Sequence, residues 1–160
     1  MVKAVFPGSF DPPTYGHLNI IKRGAALFDS LEVVIAVNPK KRPMLDPEEK
    51  KRLLVGEIAS MGLEHVTVAM HGGLIVDYCR RTGARVLLRG VRSASDFDYE
   101  FELSILNKQL NDEVETIFIP TEPKYFVLRS SSIKELLEFD GDISAMVPPA
   151  VESRLRDLMR

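Results

Sequence analysis

The sequence predicts an α/β fold, a single domain over residues 1–160 built on a doubly wound sheet of five parallel strands. Three observations carry this. Five short runs are nearly continuous in Val, Ile and Leu, as strands buried on both faces are. Between them lie longer stretches with apolar residues three and four apart, the spacing of one helix face. The two patterns alternate, and alternation of this kind means a parallel sheet with crossover helices. No linker, low-complexity tract or internal repeat points to a second domain.

Residues 2–6 (VKAVF) read as the first strand, and Leu18, Ile21, Ala25 and Phe28 mark one face of the helix after it. The second strand is 31–37 (LEVVIAV). The next helix opens DPEEKKRLL, with Asp46 as N-cap, Pro47 at the first helical position and two glutamates near the positive helix end. The third strand, 65–70 (HVTVAM), leads to a helix over about 74–81 in which Cys79 reads as a small buried residue. The fourth strand is 84–89 (ARVLLR), followed by a helix over about 97–110. The fifth is 115–120 (ETIFIP), and two last helices fall near 132–139 and 148–159. On the fourth helix Phe97, Phe101 and Ile105 form one apolar stripe. Tyr99, Leu103, Leu106 and Leu110 form another, on roughly the opposite side. One stripe can pack on the sheet; the other needs a cover, either the C-terminal helices or another subunit.

Composition excludes several classes. Hydrophobic residues make up 45% and charged residues 28% of the chain, as in ordinary globular proteins. A net charge of −2 gives no general attraction to nucleic acid or to a membrane surface. No apolar run approaches the ~20 residues of a membrane span, and residues 1–4 read as strand with no signal-peptide core. Cys79 is the single cysteine, so no internal disulfide is possible and a cytoplasmic location is expected. His65 and His71 flank the third strand and read as structural or solvent-facing.

In open parallel sheets ligands bind outside the carboxyl ends of the strands. After strand one comes Pro7-Gly8-Ser9-Phe10-Asp11-Pro12-Pro13-Thr14-Tyr15-Gly16-His17. Thr14 is a candidate N-cap, which puts Gly16 and His17 in a first helical turn whose free N–H groups favour an anion. A lone histidine there is, as a rule, structural. Neither the Walker pattern nor G-x-G-x-x-G is present. After strand two come Lys40, Lys41 and Arg42, and after strand four Arg89-Gly90-Val91-Arg92, with arginine forks suited to phosphate. After strand five comes Tyr125-Phe126-Val127-Leu128-Arg129-Ser130-Ser131-Ser132, serines entering a helix. Ser132 and Glu135 also have capping-box spacing, a purely structural device. Each signal is weak alone. Jointly they place anion-binding features after four strands on one sheet edge, which points to a ligand with several phosphates.

Thr14-Tyr15-Gly16-His17 matches the T-x-G-H motif of the nucleotidyltransferase superfamily, and residues 128–134 resemble its second motif. PGSFDPPTYGHLNII, NPKKRPM, GLIVDYCRRTGARVLLRGVRSASDFDYEFEL and YFVLRSSSIKEL together resemble the bacterial phosphopantetheine adenylyltransferases over essentially the whole chain. The stretch from Arg89 to Glu100 is the most specific part. The resemblance implies a Rossmann-like, dinucleotide-binding type of sheet. It implies reversible transfer of the adenylyl group of ATP to 4′-phosphopantetheine, giving dephospho-coenzyme A and pyrophosphate, a step of coenzyme A synthesis. It implies Mg²⁺ in the reaction and a homohexamer; no carboxylate cage for the metal stands out in the sequence, so the ion is expected on the nucleotide, and charge and motifs give no support for nucleic-acid or membrane partners. By residue, it implies that Ser9 contacts both substrates, Phe10 lies against ATP and His17 stabilises the transition state at the α-phosphate. Lys41 and Arg89 are implied to hold the pantetheine phosphate, with Ile75 near the pantetheine arm. Gly90, Val91, Arg92, Glu100, Tyr125, Phe126, Val127, Leu128, Arg129, Ser130 and Ser131 are implied to line the ATP site.

One departure stands out. In the ungapped alignment Arg129 replaces the family's first serine, Val127 replaces a phenylalanine and Ser132 fills a normally apolar position. Ser130 is then the expected phosphate contact, and the role of Arg129 is open. The implied chemistry needs no general-base pair, because the nucleophile is a phosphate already mostly dianionic near pH 7, with a second pKa of ~6. Two alternatives remain: a related nucleotidyltransferase with another phosphate acceptor, and a non-catalytic nucleotide-binding module.

Overall fold

The computed structural model describes all residues 1–160. Five parallel strands form one sheet: β1 (Lys3–Gly8), β2 (Ser30–Ala36), β3 (Val66–His71), β4 (Val86–Val91) and β5 (Glu115–Pro120). Their order is β3-β2-β1-β4-β5, so the chain winds outward from β1 in one direction, then crosses back and winds outward in the other. Helices α1 (Tyr15–Ala25) and α2 (Pro47–Ser60) cover one face. They bury Leu18, Ile20, Ile21, Leu54 and Ile58 against Ala4, Phe6, Val33, Ile35 and Leu88. Helix α3 (Ile75–Thr82) covers the other face, where Val76 and Cys79 meet Val5, Val34 and Leu87. Helix α4 (Ala94–Leu110) lies along β4 and β5. A 3-10 turn (Pro123–Tyr125) leads to α5 (Ser130–Glu138), and α6 (Pro149–Leu158) closes the chain.

Registers explain where a cleft can open. β1 pairs with β2 along its whole length, from Lys3↔Ser30 to Gly8↔Ile35. With β4 it pairs only through Ala4↔Val86 and Val5↔Leu87. Past those residues β1 and β4 splay apart at their carboxyl ends, which is the topological switch point of the sheet.

The predicted strands and helices are all present, with shifted ends. Phe28 lies beyond the end of α1 yet remains buried. Helix α4 begins before residue 97 because the Ser93 hydroxyl accepts from Asp96 N–H at 3.2 Å and starts the helix there. Helix α5 begins before residue 132. Arg129 is its N-cap, with no side-chain cap, so the Ser132–Glu135 box does not form and Ser132 sits inside the helix.

The expected division of the α4 stripes does not hold either. No residue of α4 is buried. The face toward the sheet carries Glu100, which reaches Arg89. Phe97 touches the edge of the Phe118 ring at 5.2 Å, but Phe97, Phe101, Ile105, Tyr99, Leu106 and Leu110 all stay exposed. The C-terminal helices leave α4 uncovered. They build their own cluster, in which Ile133, Leu137, Val151 and Leu155 surround Leu45.

Candidate active site

A cleft of about 500 Å³ occupies the gap between the ends of β1 and β4, roofed by the starts of α1 and α5. Its floor is set by an unusual turn. Phe10 is fully buried and sits at φ 46°, a left-handed conformation that costs a non-glycine residue on the order of 1–3 kcal/mol. Its ring packs edge-on against Phe6 at 5.4 Å and against His17 at 4.9 Å. A Cβ on Gly8 would come within 3.1 Å of the same ring, so glycine is what lets the turn close. Phe10 is therefore a platform beneath His17 as well as part of the wall.

Helix α1 starts with a reciprocal cap. His17 N–H donates to the Thr14 hydroxyl at 3.3 Å, and Thr14 N–H donates to His17 Nδ1 at 3.0 Å. A backbone N–H can only donate, so Nδ1 must be the acceptor. The neutral ring then carries its proton on Nε2. Burial, then the guanidinium groups of Arg92 and Arg89, push His17 down from 6.5 to about 4. At pH 7 it is a neutral hydrogen-bond donor.

That depression makes stability pH-dependent. The unfolded chain takes up this proton near 6.5, the folded one near 4. Between those values the unfolded state binds more protons, so stability falls as pH drops from 6.5 toward 4 and is unaffected by this group above 6.5. The full effect is at most about 3 kcal/mol. Urea midpoints at about pH 7.5 and about pH 5 are expected to differ less in His17→Gln than in the unsubstituted protein. An equal difference in both would assign the acid lability to other groups.

Two arginines from the β4 end face the cleft, each braced by a carboxylate. Arg89 makes a two-pronged pair with Glu100, Nε to Oε2 at 2.7 Å and Nη2 to Oε1 at 2.5 Å, and its Nη1 donates to Pro7 O at 2.7 Å. The last bond bridges the splayed strands. Of the five guanidinium N–H groups, two remain for a ligand. Arg92 pairs with Asp96 at 3.0 Å and donates to Leu128 O at 3.0 Å, which ties β4 to the start of α5. Arg129 also lines the cleft and has no carboxylate partner. At α5, Ile133 N–H to Arg129 O is the first helical bond, so the N–H groups of Ser130, Ser131 and Ser132 precede it.

The cleft thus gathers Ser9, Phe10, His17, Arg89, Gly90, Arg92, Glu100, Tyr125, Leu128, Arg129, Ser130 and Ser131. Five expected residues lie outside its wall. Lys41 is in an exposed loop, Ile75 opens α3 against the second core cluster, Val91 ends β4, and Phe126 and Val127 are exposed. Asp96, Tyr99 and Thr121 line the cleft although none is among the expected site residues, and Tyr99 is expected only in an apolar stripe of the fourth helix. Asp96 was legible in principle, because Arg92 and Asp96 stand four apart at a helix start. The carboxylates of the cleft are both committed to arginines, and nowhere do three or more His, Cys, Asp or Glu residues come together as a metal cage. This arrangement is suited to hold two anions side by side.

The cytidylyltransferase-like family matches residues 5–136. A phosphopantetheine adenylyltransferase from Caldanaerobacter subterraneus subsp. tengcongensis is 46% identical over 154 residues, 96% of this chain and 95% of that protein. One from Heliobacterium modesticaldum is 41% identical over 157 residues, 98% of this chain and 92% of that protein. In architecture the chain is similar to a Vibrio parahaemolyticus protein provisionally assigned as a nicotinate-nucleotide adenylyltransferase. The TM-score is 0.72 at 22% identity, over 100% of this chain and 96% of the other. At that identity the likeness speaks to the fold alone, a Rossmann-like parallel sheet.

Proposed function

The chain belongs to the phosphopantetheine adenylyltransferase family, and from that premise we propose how its cleft carries out the family's reaction. The reaction is adenylyl transfer in coenzyme A synthesis: ATP and 4′-phosphopantetheine give dephospho-coenzyme A and pyrophosphate. A phosphate oxygen of 4′-phosphopantetheine attacks the α-phosphorus of ATP, the bond from that phosphorus to the bridging oxygen breaks, and pyrophosphate leaves with the electron pair. No proton has to be removed from the nucleophile near pH 7, since its second pKa is ~6. The difficulty is to hold two repelling anions in line and to stabilise charge at the α-phosphate.

The observation that carries the residue roles is the Thr14 N–H bond to His17 Nδ1, which leaves the proton of the neutral ring on Nε2. We assign it to donate from Nε2 to an α-phosphate oxygen. Arg92, Arg129 and the free N–H groups of Ser130 and Ser131 hold the β- and γ-phosphates and then the leaving pyrophosphate. Arg89, steadied by Glu100, holds the acceptor phosphate, joined by Lys41 from the exposed loop. Ser9 lies between the two subsites, with Ile75 toward the pantetheine arm and residues 125–128 toward adenine. Mg²⁺ would come with the nucleotide and would supply charge neutralisation there, since the cleft's own donors are cations and N–H groups. All 160 residues work as one domain in this reading. The compartment is the cytoplasm, in keeping with a buried, unpaired Cys79.

The test is a panel of acceptors in a pyrophosphate-release assay, with 4′-phosphopantetheine, nicotinamide mononucleotide and glycerol phosphate. Turnover is expected on 4′-phosphopantetheine, and preference for another acceptor overturns the assignment. In the same assay Lys41→Ala is expected to raise KM for 4′-phosphopantetheine about tenfold or more while leaving that for ATP within about threefold. Equal weakening of both would remove Lys41 from the acceptor subsite.

We also propose the homohexamer. Its support is α4, which presents Phe97, Tyr99, Phe101, Ile105, Leu106 and Leu110 to solvent. Apolar patches of that extent on an isolated protomer mark contact surfaces. Light scattering is expected to give six times the 18.0 kDa of the chain, and a monomeric mass would reject it.

A further inference from the structure

Lys50 is the only lysine, arginine or carboxylate residue in the chain that is buried, at 3% exposure. It stands in the first turn of α2, after Asp46, Pro47, Glu48 and Glu49, where the helix end is positive and a cation is disfavoured. Burial of its charge adds a further penalty unless partners meet it. Its partners belong to the cleft loop. Nζ donates to Ser9 O at 3.1 Å and lies 3.5 Å from Asp11 Oδ1. Asp11 in turn accepts from Met44 N–H at 2.8 Å and from Leu45 N–H at 2.9 Å. Between Ser9 and Asp11 sits Phe10 in its left-handed turn, with its ring under His17.

We propose that Lys50 is a positioning residue for adenylyl transfer. Its ammonium holds the Ser9–Phe10–Asp11 turn in the shape that seats Phe10 beneath His17, and through Asp11 it joins that turn to the loop carrying Lys41. A surface lysine would not explain the burial, and a purely local helix cap would not explain partners 39 to 41 positions away in sequence. The turn is intrinsically strained, so something outside it must fix it. Lys50 bonds to the backbone carbonyl on one side of Phe10 and to the side chain on the other. Met44 and Leu45, which complete the Asp11 contacts, follow the cationic Lys40–Lys41–Arg42 loop after Pro43, so one buried ammonium sets the spacing of both subsites. This rests on the adenylyl-transfer reading of the cleft.

The experiment compares Lys50→Met, Lys50→Arg and Asp11→Asn, with exposed Arg52→Met as the control for loss of one cation from α2. Unsubstituted protein must first turn over ATP and 4′-phosphopantetheine; if it does not, the function is wrong, and the proposal is then judged on the His17 ring resonances alone. Lys50→Met is expected to lower kcat about thirtyfold, with the affinity for a non-hydrolysable ATP analogue within about threefold. Lys50→Arg, which can donate to both partners, is expected to recover most of kcat, and Arg52→Met to match the unsubstituted protein. Asp11→Asn is expected to lower kcat about tenfold, and combining it with Lys50→Met is expected to add little, as for residues acting through one contact. His17 ring proton resonances, which feel the Phe10 ring current, are expected to move in Lys50→Met and Asp11→Asn but not in Arg52→Met. If Lys50→Met does not fold, Asp11→Asn is read in its place, with its own loss of kcat and the same movement of the His17 resonances expected. A lowered Tm with kcat per folded site and His17 resonances unchanged would overturn the proposal and leave Lys50 a purely structural residue.

Discussion

His17→Ala is expected to lower kcat by about 10²–10³ while the affinity for ATP changes only a few-fold. The magnitude is that of losing one donor aimed at charge that develops in the transition state. The tautomer rules out the competing role. Thr14 N–H occupies Nδ1 at 3.0 Å, and Nε2 bears the proton, so the neutral ring has no free lone pair with which to act as a base. The acid limb of kcat/KM for the acceptor is therefore expected near the second pKa of the substrate phosphate, ~6, in both the variant and the unsubstituted enzyme. An acid limb that disappears with the histidine would mean that His17 does take a proton. Loss of kcat confined to a few-fold would leave it a helix cap.

The same residue illustrates how closely structure and chemistry are joined at this helix start. His17→Ala also deletes half of the reciprocal cap, worth about 1 kcal/mol. His17→Gln can restore that half, because glutamine is a standard partner in such a box. Its Tm is expected to return further toward the unsubstituted value than its kcat. The gap between the two recoveries measures what the imidazole contributes to transfer.

The fold was legible because it depends on local pattern. Nearly continuous Val, Ile and Leu runs separated by helical spacing leave few arrangements other than a parallel sheet, and the cleft follows from that arrangement. His17, Arg89, Arg92 and Ser130 could be picked out because each stands just past a strand end. What was not legible depends on distance in space. The Arg89–Glu100 pair spans eleven positions and forms only because α4 turns that face toward β4. Lys50 lies in the run Glu48-Glu49-Lys50-Lys51-Arg52, which reads as a solvated helix start. Only the packing of α2 against the β1 loop buries it. The capping-box spacing of Ser132 and Glu135 misled for a related reason. Arg129 is extended, at φ −111° and ψ 138°, and the chain turns helical immediately after it, so the helix starts on the free N–H groups of Ser130 and Ser131. The alternation rule likewise said nothing of α4, whose apolar stripes neither the sheet nor the C-terminal helices cover.

Arg89→Met is expected to cost more than the loss of one phosphate contact. Glu100 is only 12% exposed and is balanced by the Arg89 fork. Removing the arginine leaves its carboxylate uncompensated in a cleft that must admit two polyanions. Breaking a fully buried pair costs about 3–5 kcal/mol; this half-buried pair loses part of that, and the repulsion adds to the lost attraction for the acceptor phosphate. We expect kcat/KM for 4′-phosphopantetheine to fall about 10³-fold. Arg89→Lys keeps the charge but not the fork, nor the reach to Pro7 O that spans β1 and β4, so a fall of about 10–100-fold is expected. Glu100→Gln leaves the cation in place and is expected to change kcat/KM less than about tenfold. The decisive comparison is the double variant. If the uncompensated carboxylate is the larger part of the damage, Arg89→Met with Glu100→Gln must be more active than Arg89→Met alone. A double variant no better than the single one would mean that Arg89 acts only through its own contact with the acceptor, and that Glu100 is a bystander to catalysis.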